Sequence, residues 1–176
     1  MFKLLFLIAV TALISGCSHP TANLETVSSV DLNRYTGKWY EIARYENTFE
    51  KGCVGASADY IAVEGDIDVT NRCYNAAGKM TGEAKGHAKV IPESGNAKLK
   101  VSFFWPFYGD YWVIKIADDY RYSVVGEPTR KYLWILSRTP QLNDSDRQGI
   151  LAELPKLGYD VHKLYWTSYS ALAKEK

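Results

Sequence analysis

The chain has 176 residues, of which 47% are hydrophobic, 23% charged and 14% aromatic, which is typical of one globular domain and excludes an intrinsically disordered chain. Its formal net charge is +1 and it has no basic run, which argues against binding to nucleic acid and against a polybasic membrane patch. The 13 tyrosines, 5 tryptophans and 6 phenylalanines favour β-strands and offer flat apolar faces to a ligand.

The first residues have the pattern of an export signal, predicted over residues 1–16. Lys3 supplies a short positive region, and residues 4–14 form an apolar segment that is too short to span a bilayer as a stable helix. The stretch ISGC at residues 14–17 resembles a bacterial lipobox, in which Cys17 becomes the first mature residue and carries the lipid. An ordinary signal peptide followed by an incidental Cys is the alternative.

The residues after Cys17 are predicted to anchor the domain without belonging to it. Palmitate and diacylglycerol chains on Cys17 would contribute about 0.8 kcal/mol per buried CH₂, and two or more chains anchor a protein stably. By resemblance to bacterial lipoproteins, Ser18 in place of Asp indicates the outer membrane, with the domain in the periplasm. Residues 17–30 are predicted to be the lipidated tether. Removal of residues 1–16 takes away Lys3 and leaves 20 basic and 20 acidic residues, a net charge of zero.

Lipidation of Cys17 leaves two cysteines, Cys53 and Cys73. An exported domain with two cysteines favours one disulfide. A predicted turn at residues 64–65 would bring them together at the open end of a hairpin, with a small register shift or a bulge. A metal pair or a reactive thiol is the alternative, but the sequence offers neither of them a neighbouring His.

Eight strand-like runs separated by turn-forming residues follow one another along the chain. The predicted strands are 39–45, 55–63, 67–73, 80–91, 98–104, 111–117, 120–125 and 131–138. An antiparallel meander of this size usually closes into an up-and-down barrel, because closure removes the exposed edges.

The pattern changes to that of a helix over residues 140–158. Apolar residues at 150, 151, 154 and 157 have helical spacing, Asn143 is a plausible N-cap and Gly158 a plausible stop. Pro155 should kink or shorten the last turn. Residues 163–167 are predicted to form a final strand. The predicted fold is therefore all-β, an eight-stranded antiparallel up-and-down barrel over residues 31–170 with one C-terminal helix on its flank, followed by a tail at 171–176.

Alternation along the strands assigns the side chains that face into the barrel. In the fourth strand the inward set is small, namely Gly82, Ala84, Gly86, Ala88 and Val90. An eight-stranded barrel is either just filled by side chains or holds one small ligand, so small inward residues predict retained space. The predicted lining is Ala84 with Tyr60, Phe103, Trp112, Tyr122 and Trp134. Aromatic side chains that simply fill the barrel are the alternative.

Three blocks of the sequence resemble those of the lipocalins: Gly37-x-Trp39 at the first strand, Asp119-Tyr120 before the seventh and Arg138 at the end of the eighth. The segments GKWYEIARYENTFEKG, LKVSFFWPFYGDYWVI and YLWILSRTP, joined to the lipobox, resemble the bacterial outer-membrane lipoprotein lipocalins, which are related to apolipoprotein D. The second block departs from the usual Thr-Asp-Tyr by having Asp in the first place. The cysteine pair is not universal in the bacterial group.

The resemblance implies an apolar cup that binds a fatty acid, a lysophospholipid or a similar amphiphile. We predict neither a cofactor nor a metal site. It implies ligand contacts at Trp134 and at Tyr108, which lies in the turn before the sixth strand. Gly37, Trp39, Asp119, Tyr120 and Arg138 are expected to be structural. Trp39 would form the floor, Arg138 would stack on its indole, and Gly37 would stand where a Cβ would crowd the chain.

Three functions are weighed against one another. The first is an anchored binder that stores or transports a lipid for outer-membrane maintenance or stress. The second is an enzyme, for which only Glu41 is a candidate base; a hydrogen-bonded structural acid is the alternative, and no catalytic constellation occurs. The third is an interaction lipoprotein with a filled barrel, in which Trp105, Phe107 and Tyr111 form a patch for a partner or a homodimer. We predict the binder and no enzymatic activity.

Overall fold

The computed structural model describes residues 23–169. The signal peptide predicted at residues 1–16, the lipidation site Cys17, the first part of the tether and the tail predicted at 171–176 lie outside the described residues. Among the residues described, no helix is both long and apolar enough to cross a membrane.

Within residues 23–169, nine antiparallel strands form a single sheet that closes on itself. They are β1 (Gly37–Tyr45), β2 (Gly55–Val63), β3 (Asp66–Tyr74), β4 (Met80–Val90), β5 (Lys98–Phe104), β6 (Phe107–Ile116), β7 (Tyr122–Gly126), β8 (Leu133–Ser137) and β9 (Leu164–Trp166). Each strand from β1 to β8 pairs with the next along the chain, and β8 returns to pair with β1. The short β9 pairs with the last three residues of β1. The predicted eight-stranded barrel is confirmed.

In the part of the chain that the structure describes, two α-helices accompany the barrel: α1 (Leu32–Tyr35) precedes β1, and α2 (Asp144–Glu153) follows β8. The Asn143 side chain caps α2 by accepting a hydrogen bond from the backbone N–H of Asp146. The helix is shorter than the predicted 140–158, because Pro155 lies in a 3₁₀ turn, Leu154–Leu157, that takes over from it. Gly158 ends this turn with a left-handed φ of 84°.

The direction of the strands gives the barrel two unlike ends. The closed end, as we call it, carries α1, the start of β1 and the connections β2–β3, β4–β5 and β6–β7. The open end carries the four connections at residues 46–54, 75–79, 105–106 and 127–132. We refer to these four connections as the mouth.

The hydrophobic residues form two cores, one on each face of the sheet. The inner core lies within the barrel and includes Trp39, Tyr60, Val69, Val113 and Val125. The outer core lies between the sheet and α2 and includes Ile114, Tyr122, Ile135, Ile150 and Leu154. The outward-facing side chains of β6, β7 and β8 therefore pack against α2, which covers one flank of the barrel.

The segment before α1 packs against the barrel, contrary to the prediction of a separate tether over residues 17–30. Leu24 and Val30 are each 2% exposed. The Val27 N–H donates to the Val113 carbonyl at 3.0 Å, and the Val30 N–H donates to the Gly95 carbonyl at 2.7 Å. Apolar residues at every third position outweigh the polar composition of this segment, so residues 24–30 belong to the domain.

Candidate ligand-binding site

The floor of the barrel is built around Trp39, whose side chain has no exposed surface. The Arg138 guanidinium carbon lies 3.6 Å from the indole centroid, and Arg138 donates to the carbonyls of Lys38 and Arg34 at 2.8 and 2.6 Å. The indole N–H donates to the Tyr35 carbonyl at 2.8 Å. Gly37 has a φ of 89°, and a Cβ there would lie 3.6 Å from Arg138. Left-handed backbone, rather than the crowding that we expected, therefore favours glycine.

Above the indole, tyrosine hydroxyls form a hydrogen-bonded chain across the barrel. The hydroxyls of Tyr60 and Tyr111 are 3.1 Å apart, and those of Tyr111 and Tyr35 are 2.7 Å apart. Tyr35 also contacts the Ser123 hydroxyl at 3.1 Å. Burial raises the pKa of Tyr35 to about 12 and raises that of Tyr60 and Tyr111, so all three stay protonated near neutral pH. The hydroxyl chain therefore makes the centre of the floor polar without adding a charge.

Four of the predicted lining residues face into the barrel. Tyr60 is 7% exposed and belongs to the floor. Ala84 pairs with Asn71, which pairs with Ala58 of the inner core. Phe103 lies against inward Gly86, where a Cβ would be 2.7 Å from the Phe103 ring. Trp134 pairs with Val125 of the inner core.

Trp112 and Tyr122 face outward, so their prediction as lining residues is wrong. Val113 pairs with Val125 and Lys115 with Val124, which makes Ile114 an extra residue in β6. This β-bulge puts two consecutive residues on one face and reverses the assignment that Lys115 implied for the preceding positions. Trp112 therefore lies beside Lys98 on the outer face, 4.2 Å from its ammonium. Tyr122 lies in the outer core beneath α2.

Three more residues from the sequence analysis lie away from the cup, namely Tyr108, Tyr120 and Asp119. Tyr108 shares the outer face with Asp110, and the Lys89 ammonium lies 5.8 Å from its ring centroid. Tyr108 could therefore make the predicted contact with a ligand in the cup only if its side chain were placed differently. Tyr120 accepts a hydrogen bond from the Asp31 N–H at 2.8 Å and stacks under Arg34. Asp119 is exposed and pairs with Arg121 at 2.9 Å. Tyr120 and Asp119 stabilise the turn at the closed end.

Towards the mouth the inner face is accessible. Ala84 and Gly82 are exposed although they face inward, and Phe103 is 43% exposed. A Cβ on inward Gly109 would meet no described atom within 4 Å. Since an inward side chain can be exposed only where the barrel is unfilled, the upper part of the cup holds space for a ligand.

A buried charged cluster lies beside this space, near the end of β1 that leads to the mouth. A bulge between Glu41 and Ala43 points both Glu41 and Arg44 inward. Arg44 is 4% exposed and donates to Glu41 at 2.6 Å and to the Cys53 carbonyl at 3.0 Å. Burial, followed by the nearby Glu50 carboxylate, raises the pKa of Glu41 well above its usual range. The Trp134 indole N–H donates to Glu50 at 3.2 Å.

The sequence interpretation missed Arg44, Glu50, Tyr35 and Tyr111 as inner residues. A basic residue within the apolar run WYEIARY was a usable signal for Arg44, because an arginine among buried residues needs partners. Nothing in the sequence marks Glu50, since its inward position depends on the fold of the 46–54 connection. Tyr111 was interpreted as an exposed aromatic residue because the same bulge in β6 hid its true face.

The predicted disulfide between Cys53 and Cys73 is present, with the two Cα atoms 5.2 Å apart. It ties the 46–54 connection to β3 beside the charged cluster. Several large apolar side chains around the mouth are exposed, namely Phe49, Met80, Phe104, Trp105, Phe107 and Tyr132, with Trp105 at 79%. The mouth is therefore apolar and open, while the nearby charged cluster around Glu41 and Arg44 is polar and buried.

Comparison with known proteins agrees with this geometry. The lipocalin-like domain model matches residues 30–169. The chain belongs to the lipocalin family. It is 44% identical to outer membrane lipoprotein Blc of Citrobacter freundii, covering 90% of this lipocalin and 92% of the relative. It is 35% identical to mouse apolipoprotein D, covering 78% and 76% of the two chains.

Among solved structures, insecticyanin from the tobacco hornworm Manduca sexta superposes with a TM-score of 0.70 at 20% identity, covering 86% of this lipocalin and 87% of insecticyanin. This likeness supports the fold. The names of the lipoprotein relatives support the predicted lipid-anchored location at the outer membrane. Lipocalins generally bind small hydrophobic ligands and are generally not enzymes.

Proposed function

We propose that this lipocalin stores or transports a single-chain amphiphile, a fatty acid or a lysophospholipid, in its cup during maintenance or stress of the outer membrane. The observation that carries the proposal is the accessible inner face at Ala84 and Phe103 above a floor sealed by Trp39 and Arg138. An acyl chain inserted from the mouth would gain about 0.8 kcal/mol for each CH₂ buried.

The proposal fits the polarity of the two ends. The floor offers uncharged tyrosine hydroxyls, whereas Glu41, Arg44 and the partly buried Glu50 place charges beside the cup near the mouth. A chain that entered methyl-end first would keep its headgroup near these charges. The exposed aromatic residues of the mouth would shield the chain as it leaves a membrane.

Native mass spectrometry of the full chain, extracted from its own membrane in a mild detergent, tests the proposal. We expect a fraction of the protein to carry one single-chain lipid, and we expect a Trp134→Ala variant to carry less. Protein without any lipid, and without quenching of tryptophan fluorescence when palmitate or a lysophospholipid is added, would contradict the proposal.

The exposed Phe104, Trp105 and Phe107 favour a second candidate, an association between copies of the chain or with a partner. Phe104 and Phe107 stack on each other across the two-residue turn, with ring centroids 6.3 Å apart, and leave an apolar tip at the mouth. A homodimer formed through this tip would dissociate in a Trp105→Ser variant, as light scattering would detect. A mass that is monomeric in both proteins would exclude it.

Catalysis is the weakest candidate. Cys53 and Cys73 are joined in a disulfide, and Glu41 is held by Arg44, so neither group is available as a nucleophile or a mobile base. We therefore propose a binding protein without enzymatic activity.

A further inference from the structure

One polar side chain of the inner face lacks a hydrogen-bond partner. Asn71 alternates along β3 with Ile67 and Val69, which belong to the inner core, so its side chain points into the barrel. Its Oδ1 atom is buried and has no hydrogen-bond partner among the residues that the structure describes. Buried acceptors are normally satisfied, and an exception requires an explanation.

The neighbouring strands offer the Asn71 amide nothing to bond. Ala58 of β2 and Ala84 of β4 stand directly opposite Asn71 in the two ladders. Gly82 and Gly86 lie two residues before and after Ala84 on the same face of β4. None of these four residues has a polar side-chain atom, and their small size leaves room in front of the amide. A partner for the amide must therefore come from within the cup, as water or as part of a ligand.

Asn71 stands at the border between the filled and the open parts of the barrel. In the row of paired residues that crosses β1 to β4, Trp39 and Ala58 are buried, Asn71 is half-buried and Ala84 is exposed. The tyrosine hydroxyls of the floor already bond one another. An acyl chain that occupies the accessible space would therefore pass an amide whose hydrogen-bonding capacity is unused.

The chemistry of the amide selects the group that can bind there. A plain methylene chain would cover Oδ1 and leave it without a partner, which is unfavourable. A keto group has no donor for Oδ1, and a charged amine or carboxylate would be costly to bury beside the apolar wall. A hydroxyl group is neutral, and it can donate to Oδ1 and accept from the amide NH₂.

The depth of Asn71 sets the position of this hydroxyl along the chain. β3 ends towards the mouth at Tyr74, three residues after Asn71. At about 3.3 Å per residue and a strand tilt of about 40°, Asn71 lies roughly 8 Å below the rim. An extended chain advances about 1.2 Å per bond, a third of the extended length of one residue. A fatty acid with its carboxylate at the mouth would therefore bring roughly its sixth to tenth carbon to the amide.

We propose that Asn71 is a specificity-determining residue of the cup, which binds the hydroxyl group of an acyl chain hydroxylated near its middle. The amide then distinguishes such a chain from its unsubstituted counterpart. This inference rests on the proposed function, because it requires an acyl chain in the cup with its polar end at the mouth.

The test is a competition observed by native mass spectrometry with the full chain in detergent. One mixture holds equal amounts of stearate and 10-hydroxystearate, and a second holds stearate and 2-hydroxystearate, whose hydroxyl stays beside the carboxylate. The readout is the ratio of the hydroxy-acid complex to the stearate complex. Partition into detergent is the same for every protein variant, so it cancels when a variant is compared with the wild type.

Asn71→Leu replaces the amide by an apolar side chain of similar size. It should lower the ratio for 10-hydroxystearate about 3- to 10-fold, the effect of one neutral hydrogen bond, and leave the ratio for 2-hydroxystearate unchanged. Continued binding of stearate shows that the variant is folded. Asn71→Ala removes the same amide without adding a branched side chain, and it should lower the 10-hydroxystearate ratio by a similar factor.

Thr70→Val is the matched control, because it removes a polar group from the next residue of β3. Thr70 pairs with Asp59 and Lys85 on the outer face, so the change should alter neither ratio. A fall in the 10-hydroxystearate ratio as large as that in Asn71→Leu would show that the effect does not come from the cup and would overturn the inference.

An unchanged 10-hydroxystearate ratio in both Asn71 variants would mean that water alone satisfies the amide, which would also overturn the inference. An equal fall for 2-hydroxystearate would do the same, because the hydroxyl of that isomer stays at the mouth. In all these cases stearate would still be bound, so the proposed function would stand. Wild-type protein that carries neither stearate nor a hydroxy acid would instead contradict the proposed function itself.

Discussion

The closed and open ends of this barrel are built from the same eight strands but differ in how their inward positions are occupied. At the closed end, Trp39 is fully buried between the Arg138 guanidinium that stacks on its indole and the Tyr35 carbonyl that accepts its N–H, and the Tyr35 hydroxyl continues into a chain of hydroxyls. Near the mouth, inward Ala84 and Gly109 face open space, and charged side chains lie at one side. Stability is therefore concentrated at one end, and the capacity to bind a ligand at the other.

This division can be tested most severely at the two tryptophans that represent the two ends. Trp39→Ala should lower the free energy of unfolding by ~3–5 kcal/mol, because it removes a large, fully buried side chain that contacts both Arg138 and Tyr35. Trp105→Ala, the same change at an exposed position of the mouth, should alter it by less than about 0.5 kcal/mol. Urea denaturation measures both values. Equal losses at the two positions would abolish the distinction between the ends.

Two inward glycines sharpen the comparison at the level of a single methyl group. A Cβ on Gly86 would lie 2.7 Å from both the Phe103 ring and the Ser102 carbonyl oxygen. Since backbone cannot move away as a side chain can, Gly86→Ala should destabilise the protein by about 1–3 kcal/mol.

Gly109→Ala is the control for this substitution, because the added methyl group would meet no described atom within 4 Å. We expect its free energy of unfolding to change by less than about 0.5 kcal/mol. A loss at Gly109 as large as that at Gly86 would mean that the upper cup is filled, contrary to the accessible surface of Ala84.

The third test separates ligand binding from folding. Trp134 is half-buried, stacks on the Phe49 ring, donates its indole N–H to Glu50 and faces the cup. Trp134→Ala should weaken binding of palmitate about 10-fold, which corresponds to ~1.4 kcal/mol of lost contact, and should cost less stability than Trp39→Ala. Fluorescence titration and urea denaturation of the same variant give both quantities. The reverse order of effects would place the ligand site at the floor.

Much of the architecture was predictable because each strand alternates and each turn has turn-forming residues. The strand order, the closure of β8 on β1, the Asn143 cap and the Cys53–Cys73 disulfide follow from such local patterns. They hold because a one-residue error at a strand end does not change which strands are neighbours.

Which side chains face inward was less predictable. The assignment counts alternate positions from a residue whose face is assumed, so it depends on every residue between that one and the position assigned. One bulge at Ile114 reversed Trp112 and concealed Tyr111, and another near Ala43 brought Arg44 into the cup. The packing of Leu24 and Val30 on the barrel depends on contacts that are distant in sequence. Bulges and long-range contacts leave no reliable mark in a single sequence.

The smallest expected effect is at His87, a partly exposed residue near the closed end. Its two ring nitrogens contact the carboxylates of Asp68 at 2.8 Å and Asp66 at 3.2 Å. The hydrogen bond to Asp68 is the main cause that raises the pKa of His87 above 6.5. A raised folded-state pKa means that the imidazolium stabilises the fold below about pH 6.5 and that this contribution is lost as the pH rises through the folded pKa.

Replacement of His87 by Gln should therefore reduce stability slightly at pH 5 and have less effect at pH 8. Urea denaturation of both proteins at the two pH values checks the difference, and NMR titration of the His87 ring checks the direction of the pKa shift. Because His87 is 38% exposed, solvent screens these ion pairs and the effect stays well below that of Trp39→Ala. A pKa at or below 6.5 would show that the two carboxylates do not hold the charged ring. The closed end would then owe its stability to packing and to the buried contacts of Arg138, with no contribution from surface charge at this position.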